Sequence, residues 1–246
     1  MNRILKLSLP FLLLAACNFD VDWFGTEESQ NRSTLNEEGN SSHTDKTPKN
    51  NIDSNHQKKG DITDLILESS VTIEVKDQRN KTLKFGSGAF IDEDKIVTNF
   101  HVVESGITIE IILNSDENIK YNASILKIDS ANDIAILKID NPFPGKALKI
   151  NQGYPKIGSD IIVAGSPLGL NGTLSKGNIS AIRKFPPYNN DLFQISAPIS
   201  PGSSGGPVTN LSGELIAISV SGLKDDRAQN LNFAIPAKYI YFLLDN

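Results

Sequence analysis

From Asp61 onward the sequence predicts an all-β domain of barrel or sandwich type. Two observations predict it: short runs rich in Val and Ile recur at close spacing, and Gly, Asn, Asp and Ser separate them. Residues 61–69 read as a short opening helix capped by Asp61. The runs 71–75 and 107–113 then alternate apolar with polar residues, as a half-buried strand does. Further strand-like runs are 88–91, Lys95–Thr98, 123–128, Ile134–Ile139, 161–164, 174–182, 192–197 and 214–220. Turn residues punctuate them at 114–116, 151–153, 169–172 and 210–213, and the chain carries 18 glycines. Residues 236–244 place Ile240, Leu243 and Leu244 on one side of a short closing helix.

Composition excludes several function classes. Lys and Arg number 24 against 29 Asp and Glu, a net charge of −5, so no basic footprint for nucleic acid exists. A single cysteine excludes an intrachain disulfide and a Cys-rich zinc site. Two of the three histidines, His43 and His56, precede the β-rich part, which leaves His101 and no metal set there. No phosphate loop or dinucleotide fingerprint follows a strand, so no cofactor is expected.

The first residues read as a processing signal. Arg3 and Lys6 precede the apolar run 7–16, which is too short to span a bilayer and fits a secretory signal peptide over 1–16. Leu14-Ala15-Ala16-Cys17 resembles the bacterial lipoprotein processing box, in which the chain is cut before the cysteine and the cysteine is acylated. That resemblance implies a cell-envelope protein anchored to a membrane through lipid on Cys17, in the outer membrane or facing the periplasm if the cell is Gram-negative. In 17–60 only Phe19, Val21, Trp23, Phe24, Leu35 and Ile52 are apolar beyond Cys17. Such a segment cannot offset its chain entropy by burial, and reads as a disordered polar tether. The globular unit is then 61–246.

The chemistry-bearing residues lie in that unit. Pro201-Gly-Ser-Ser-Gly-Gly-Pro207 sets a serine among glycines, where the backbone bends sharply and approaches a ligand closely. Acyl transfer needs an exposed nucleophile with backbone N–H groups aimed at the developing oxyanion, although a glycine- and serine-rich stretch alone is also an ordinary loop. His101 follows the run Lys95–Thr98; a lone histidine among apolar residues is more often a core residue, but a histidine base in this unit would have to be His101. Asp133 stands at the mouth of an apolar run and suits a shielded carboxylate, with Asp129 in the preceding turn as its rival. The order His101, Asp133, Ser204 is that of the trypsin-like enzymes.

Seven motifs in order carry a resemblance: Gly86-Ser-Gly88, Thr98-Asn-Phe-His101, Asp133-Ile-Ala-Ile-Leu137, Ala164-Gly-Ser-Pro-Leu-Gly169, 201–207, Gly213-Glu-Leu-Ile216 and Phe233-Ala-Ile-Pro236. Together they resemble the HtrA (Deg) branch of trypsin-like serine endopeptidases. The resemblance implies two six-stranded antiparallel β-barrels, here with short N- and C-terminal helices, and a cleft site between them. It implies Ser204 as nucleophile, His101 as general base, Asp133 as orienting carboxylate, and the N–H groups of Gly202 and Ser204 as oxyanion hole. It implies unfolded or damaged envelope proteins as substrates, and a homotrimer as an assembly to test.

Departures from the wider family refine the expectation. Ser203 stands where zymogen-activated relatives carry an aspartate, so activation by a freshly cut N-terminus is not expected. Pro198, six residues before Ser204, is not the aspartate of a tryptic pocket. Ile199, Leu223 and Leu231 match primary-pocket positions, which implies small or medium aliphatic side chains at the cleavage site. The sequence stops ten residues after Pro236, and no PDZ domain is expected within it. The competing expectations are a catalytically silent protease fold used as an adaptor, and an esterase.

Overall fold

The computed structural model describes residues 54–114, 116–142, 146–184, 190–220 and 231–245. The expected signal peptide, Cys17 and most of the tether lie outside the described residues. The opening helix, α1, is Ser54–Ser69 rather than 61–69. It therefore takes in 54–60, which polar composition had assigned to the tether. Gly60 alone in that stretch resists a helix strongly, at a cost of about 1 kcal/mol.

Six strands form a first closed barrel: β1 (Ser70–Lys76), β2 (Thr82–Phe90), β3 (Lys95–Thr98), β4 (Thr108–Leu113), β5 (Lys120–Asp129) and β6 (Ile134–Ile139), paired in the order β1-β2-β3-β6-β5-β4. Six more form a second: β7 (Asp160–Gly165), β8 (Thr173–Arg183), β9 (Leu192–Ile195), β10 (Pro207–Thr209), β11 (Leu215–Val220) and β12 (Asn232–Pro236), in the order β10-β11-β12-β9-β8-β7. All strand pairs are antiparallel, and the expected all-β double six-stranded barrel with short terminal helices is the observed fold. The sequence reading missed β10 and β12 as strands. β10 is three residues long and starts with proline, which weakens any strand signal.

Pleating explains where the cores sit. Successive strand side chains point to opposite faces. On β6, Ala135, Leu137 and Ile139 fill the first barrel, while Ile134 and Ile136 face outward into a layer shared with Leu215, Ile218, Phe233 and Ile235 of the second. Both faces of β6 are thus buried over 134–137, which is why those four residues read as an unbroken apolar run before the exposed Lys138. Phe193, Ile195, Val163 and Val208 fill the second barrel. Each fully buried aliphatic or Phe side chain contributes roughly 1.5–3 kcal/mol. The closing helix α3 (Ala237–Asp245) buries Ile240 in the shared layer, with Leu243 and Leu244 packed against it. Lys127 Nζ donates to the carbonyls of Leu243 and Leu244, at 3.1 Å each, satisfying acceptors that a helix end leaves open.

Polar contacts set the register between the barrels. The Ser87 N–H of β2 donates to the Ser204 carbonyl at 2.8 Å, Ser87 Oγ donates to the Gly202 carbonyl at 2.7 Å, and Ser166 N–H donates to Ser87 Oγ at 2.9 Å. Gly205 enters the same seam with φ +85°, and a Cβ there would lie 2.3 Å from both the Ser87 carbonyl and Thr98 Oγ1. On the outer face of the first barrel Glu74 and Glu110 are directly paired across β1 and β4, where like charges repel. Lys76 lies 2.7 Å from Glu110 and 3.7 Å from Glu74, and Lys120 lies 3.2 Å from Glu74 and 3.4 Å from Glu110, so the two cations separate the two carboxylates. Burial pushes the Glu74 carboxyl up, but the Thr82 hydroxyl, Lys120 and Lys76 together hold it below its ordinary value of 4.5.

Two outcomes follow. A depressed carboxyl stabilises the fold above its ordinary value, and that stability is lost as pH falls through the lowered one. Glu74→Gln is expected to lower the urea midpoint near neutral pH and to flatten its decline as pH falls through and below the ordinary carboxyl range, as equilibrium unfolding at each pH will read. Gly205→Ala, strained in φ and blocked by two oxygens, is expected to cost at least about 2 kcal/mol in the same assay.

Candidate active site

The first barrel brings His101 and Asp133 into direct contact. His101 lies in a one-turn helix, α2 (Phe100–Val103), entered through the extended Asn99. The Asp133 main-chain carbonyl accepts from Phe100 N–H at 3.1 Å and from Asn99 Nδ2 at 3.0 Å. Its carboxylate uses both oxygens on His101: Oδ1 accepts from the main-chain N–H at 2.8 Å, and Oδ2 lies 2.8 Å from Nδ1. Asp133 adopts φ +55°, a left-handed conformation that aspartate tolerates better than most residues. Its side chain is 13% exposed, against 37% for His101, so a shielded carboxylate backs an imidazole that reaches solvent. Asp129, the rival, is engaged in the turn before it. Its Oδ1 accepts from Asn132 N–H at 3.0 Å and its Oδ2 from Asn132 Nδ2 at 2.6 Å.

The second barrel supplies the loop that carries Ser204. Ser203 N–H donates to Ser200 O at 2.9 Å, Gly206 N–H to Ser203 O at 3.0 Å, and Gly205 N–H to Ser219 O at 2.9 Å. Ser219 Oγ donates to Ser203 O at 2.6 Å. These bonds wind residues 200–206 into a tight turn. Ser204 is buried and is tied to β2 through its carbonyl. A Cβ on Gly205 would lie 3.0 Å from Asn99 N, so this turn rests against the entry to α2. Gly202 has φ +96° and sits so close to 166–168 that a Cβ would lie 2.6 Å from the Ser166 carbonyl. The Pro201 carbonyl accepts from Leu168 N–H at 2.9 Å. In a trans peptide the next N–H points the opposite way, so the Gly202 N–H is turned away from that segment.

The three pocket candidates part company. Ile199 lines a cavity of about 280 Å³ together with Val163, Leu174, Pro198 and Ser203. Leu231 is 39% exposed and does not line that cavity. Leu223 lies outside the described residues. Ser203 makes no ion pair: its Oγ accepts from Ser200 N–H at 3.4 Å. Among the described residues no group of three or more His, Cys, Asp or Glu side chains is placed to hold a metal ion.

Two residues beside the site escaped the sequence reading. Ser87 belongs to Gly86-Ser-Gly88, so its motif was visible but not its bonds to a loop more than a hundred residues away. Lys84 Nζ donates a short hydrogen bond to the His101 carbonyl. Burial pushes its ammonium down, opposed by Glu104 and Asp133. No motif signalled it.

Comparison with known proteins agrees with the fold. A family model described as a trypsin-like peptidase domain matches residues 86–218. The periplasmic serine endoprotease DegP of Escherichia coli (strain K12) is 34% identical over 171 residues, which are 66% of this chain and 35% of DegP. DegP of Salmonella typhimurium gives the same identity and coverage. The chain thus spans about a third of the length of these curated relatives. Among solved structures, the serine endoprotease from Yersinia pestis superposes with a TM-score of 0.67 at 25% identity, covering 76% of this chain and 65% of that one. These relatives correct the lipid-anchored membrane location expected from Cys17. They are periplasmic endoproteases, and a basic head with a short apolar run exports a protein without any acyl chain. The chain belongs to the trypsin-like peptidase family, alongside the DegP-type serine endoproteases.

Proposed function

We propose that this chain is a serine endopeptidase that cleaves unfolded or damaged envelope proteins through an acyl-enzyme, with the globular unit that follows the tether as its catalytic part. The observation that carries the reading is the two-point contact of the Asp133 carboxylate with His101, beside a glycine-rich turn bearing Ser204. With Nδ1 donating to Asp133, the lone pair of the imidazole is on Nε2. His101 takes the Ser204 hydroxyl proton there as Oγ attacks the scissile carbonyl, and returns it to the departing amine. Asp133 stays ionised, fixes the tautomer and steadies the imidazolium. The N–H groups of Gly202 and Ser204 stabilise the oxyanion. The outward turn of the Pro201 carbonyl supports that role for Gly202. Water then attacks the acyl-enzyme with His101 again as base.

Ile199 supports a preference for small or medium aliphatic residues at the cleavage position, a discrimination of roughly 1–3 kcal/mol. Ser203, held by Ser200 rather than by an ion pair, supports activity without cleavage at the domain's own N-terminus.

Ser204→Ala is expected to abolish hydrolysis of an unfolded casein-type substrate and labelling by a fluorophosphonate. Asp133→Asn is expected to lower kcat by about 10,000-fold while the fold is kept. Steady-state kinetics with circular dichroism of each variant checks both. A wild-type protein that binds unfolded chains without cleaving them would favour the adaptor reading instead.

A further inference from the structure

Strand β2 touches both the Ser204 turn and the helix that carries His101, and its pleat gives the two faces different partners. Ser87 projects toward Gly202 and Ser166. Gly86 and Lys84 project the other way, toward α2. At Gly86 the approach is so close that a Cβ would lie 2.4 Å from Val102 Cγ1. Two residues before it, on the same face, Lys84 Nζ donates to the main-chain carbonyl of His101. The ammonium is partly buried, and the acidic groups that act on it are Glu104, at the end of α2, and Asp133, in the turn just before β6.

The bond and the charge do different work. The bond ties the single turn of α2 to β2, in addition to the Asp133 bonds and the buried Val102 and Val103 that hold it to the first barrel. The charge lies beside the pair, attracted by Glu104 and Asp133. We propose that Lys84 is a positioning residue for this pair: its ammonium, bonded to the His101 carbonyl, holds the α2 turn in place and sets a cation beside the His101–Asp133 pair. The proposal rests on His101 being the general base.

The test is the pH dependence of kcat/KM for a chromogenic peptide in wild type, Lys84→Met, Lys84→Gln and Lys84→Arg. The acid limb is expected to move up by about half a pH unit or more in the Met and Gln variants and to stay at the wild-type position in the Arg variant. A lowered plateau with an unmoved acid limb in Met and Gln would make Lys84 a packing residue and overturn the proposal. NMR titration of the His101 imidazole carbon in wild type and Lys84→Gln gives the comparison without turnover. A midpoint that rises in the variant supports the proposal, and equal midpoints overturn it. Failure of the base assignment reads differently, as absent turnover and absent fluorophosphonate labelling in the wild-type protein.

Discussion

Ser87 is wholly buried and bonded in four directions. Its N–H meets the Ser204 carbonyl, its hydroxyl donates to Gly202 O and accepts from Ser166 N–H, and its carbonyl accepts from Thr98 Oγ1 at 2.7 Å. A buried polar group left without such partners costs about 1–3 kcal/mol, so any slip of one barrel against the other breaks several bonds at once. The apolar layer around Ile134, Ile136, Leu215 and Phe233 supplies most of the attraction between the barrels. Ser87 supplies the register, and register is what a site assembled from both barrels requires.

The candidate site is built in two halves, one from each barrel. In the first, Asp133 is clamped by the Asn99 side chain and the main chain of Phe100 and His101, and reaches His101 through two oxygens. The imidazole therefore has a fixed plane and a fixed tautomer before any substrate arrives, the preorganisation that proton transfer rewards. In the second, residues 200–206 are wound by their own hydrogen bonds and by Ser219, with glycines wherever backbone oxygens crowd the Cα. The chemistry proposed for Ser204 depends on this rigidity more than on any one contact.

Much of this was legible in the sequence because the signals are local. Alternating runs gave most strands, and Asp133 stood out because an unbroken apolar run, now seen as a strand buried on both faces, follows it directly. The glycines around Ser204 announced a backbone under close approach. What was illegible depends on distant contacts. Nothing near Ser87 or Lys84 in the chain says which loop or carbonyl each will meet, and β10 is too short to carry a pattern. The opening helix began earlier than read because polar composition was taken as disorder, whereas Lys and Gln are good helix formers once a nucleus exists.

The central claim is that folding delivers His101, Asp133 and Ser204 to one reaction centre, and a crystal structure with a peptidyl boronic acid tests it most directly. The account predicts boron bonded to Ser204 Oγ, a boronate oxygen facing the N–H groups of Gly202 and Ser204, and the His101 imidazole hydrogen-bonded to the adduct with Asp133 behind it. A boronate bound elsewhere, or an imidazole turned away from the adduct, would contradict it.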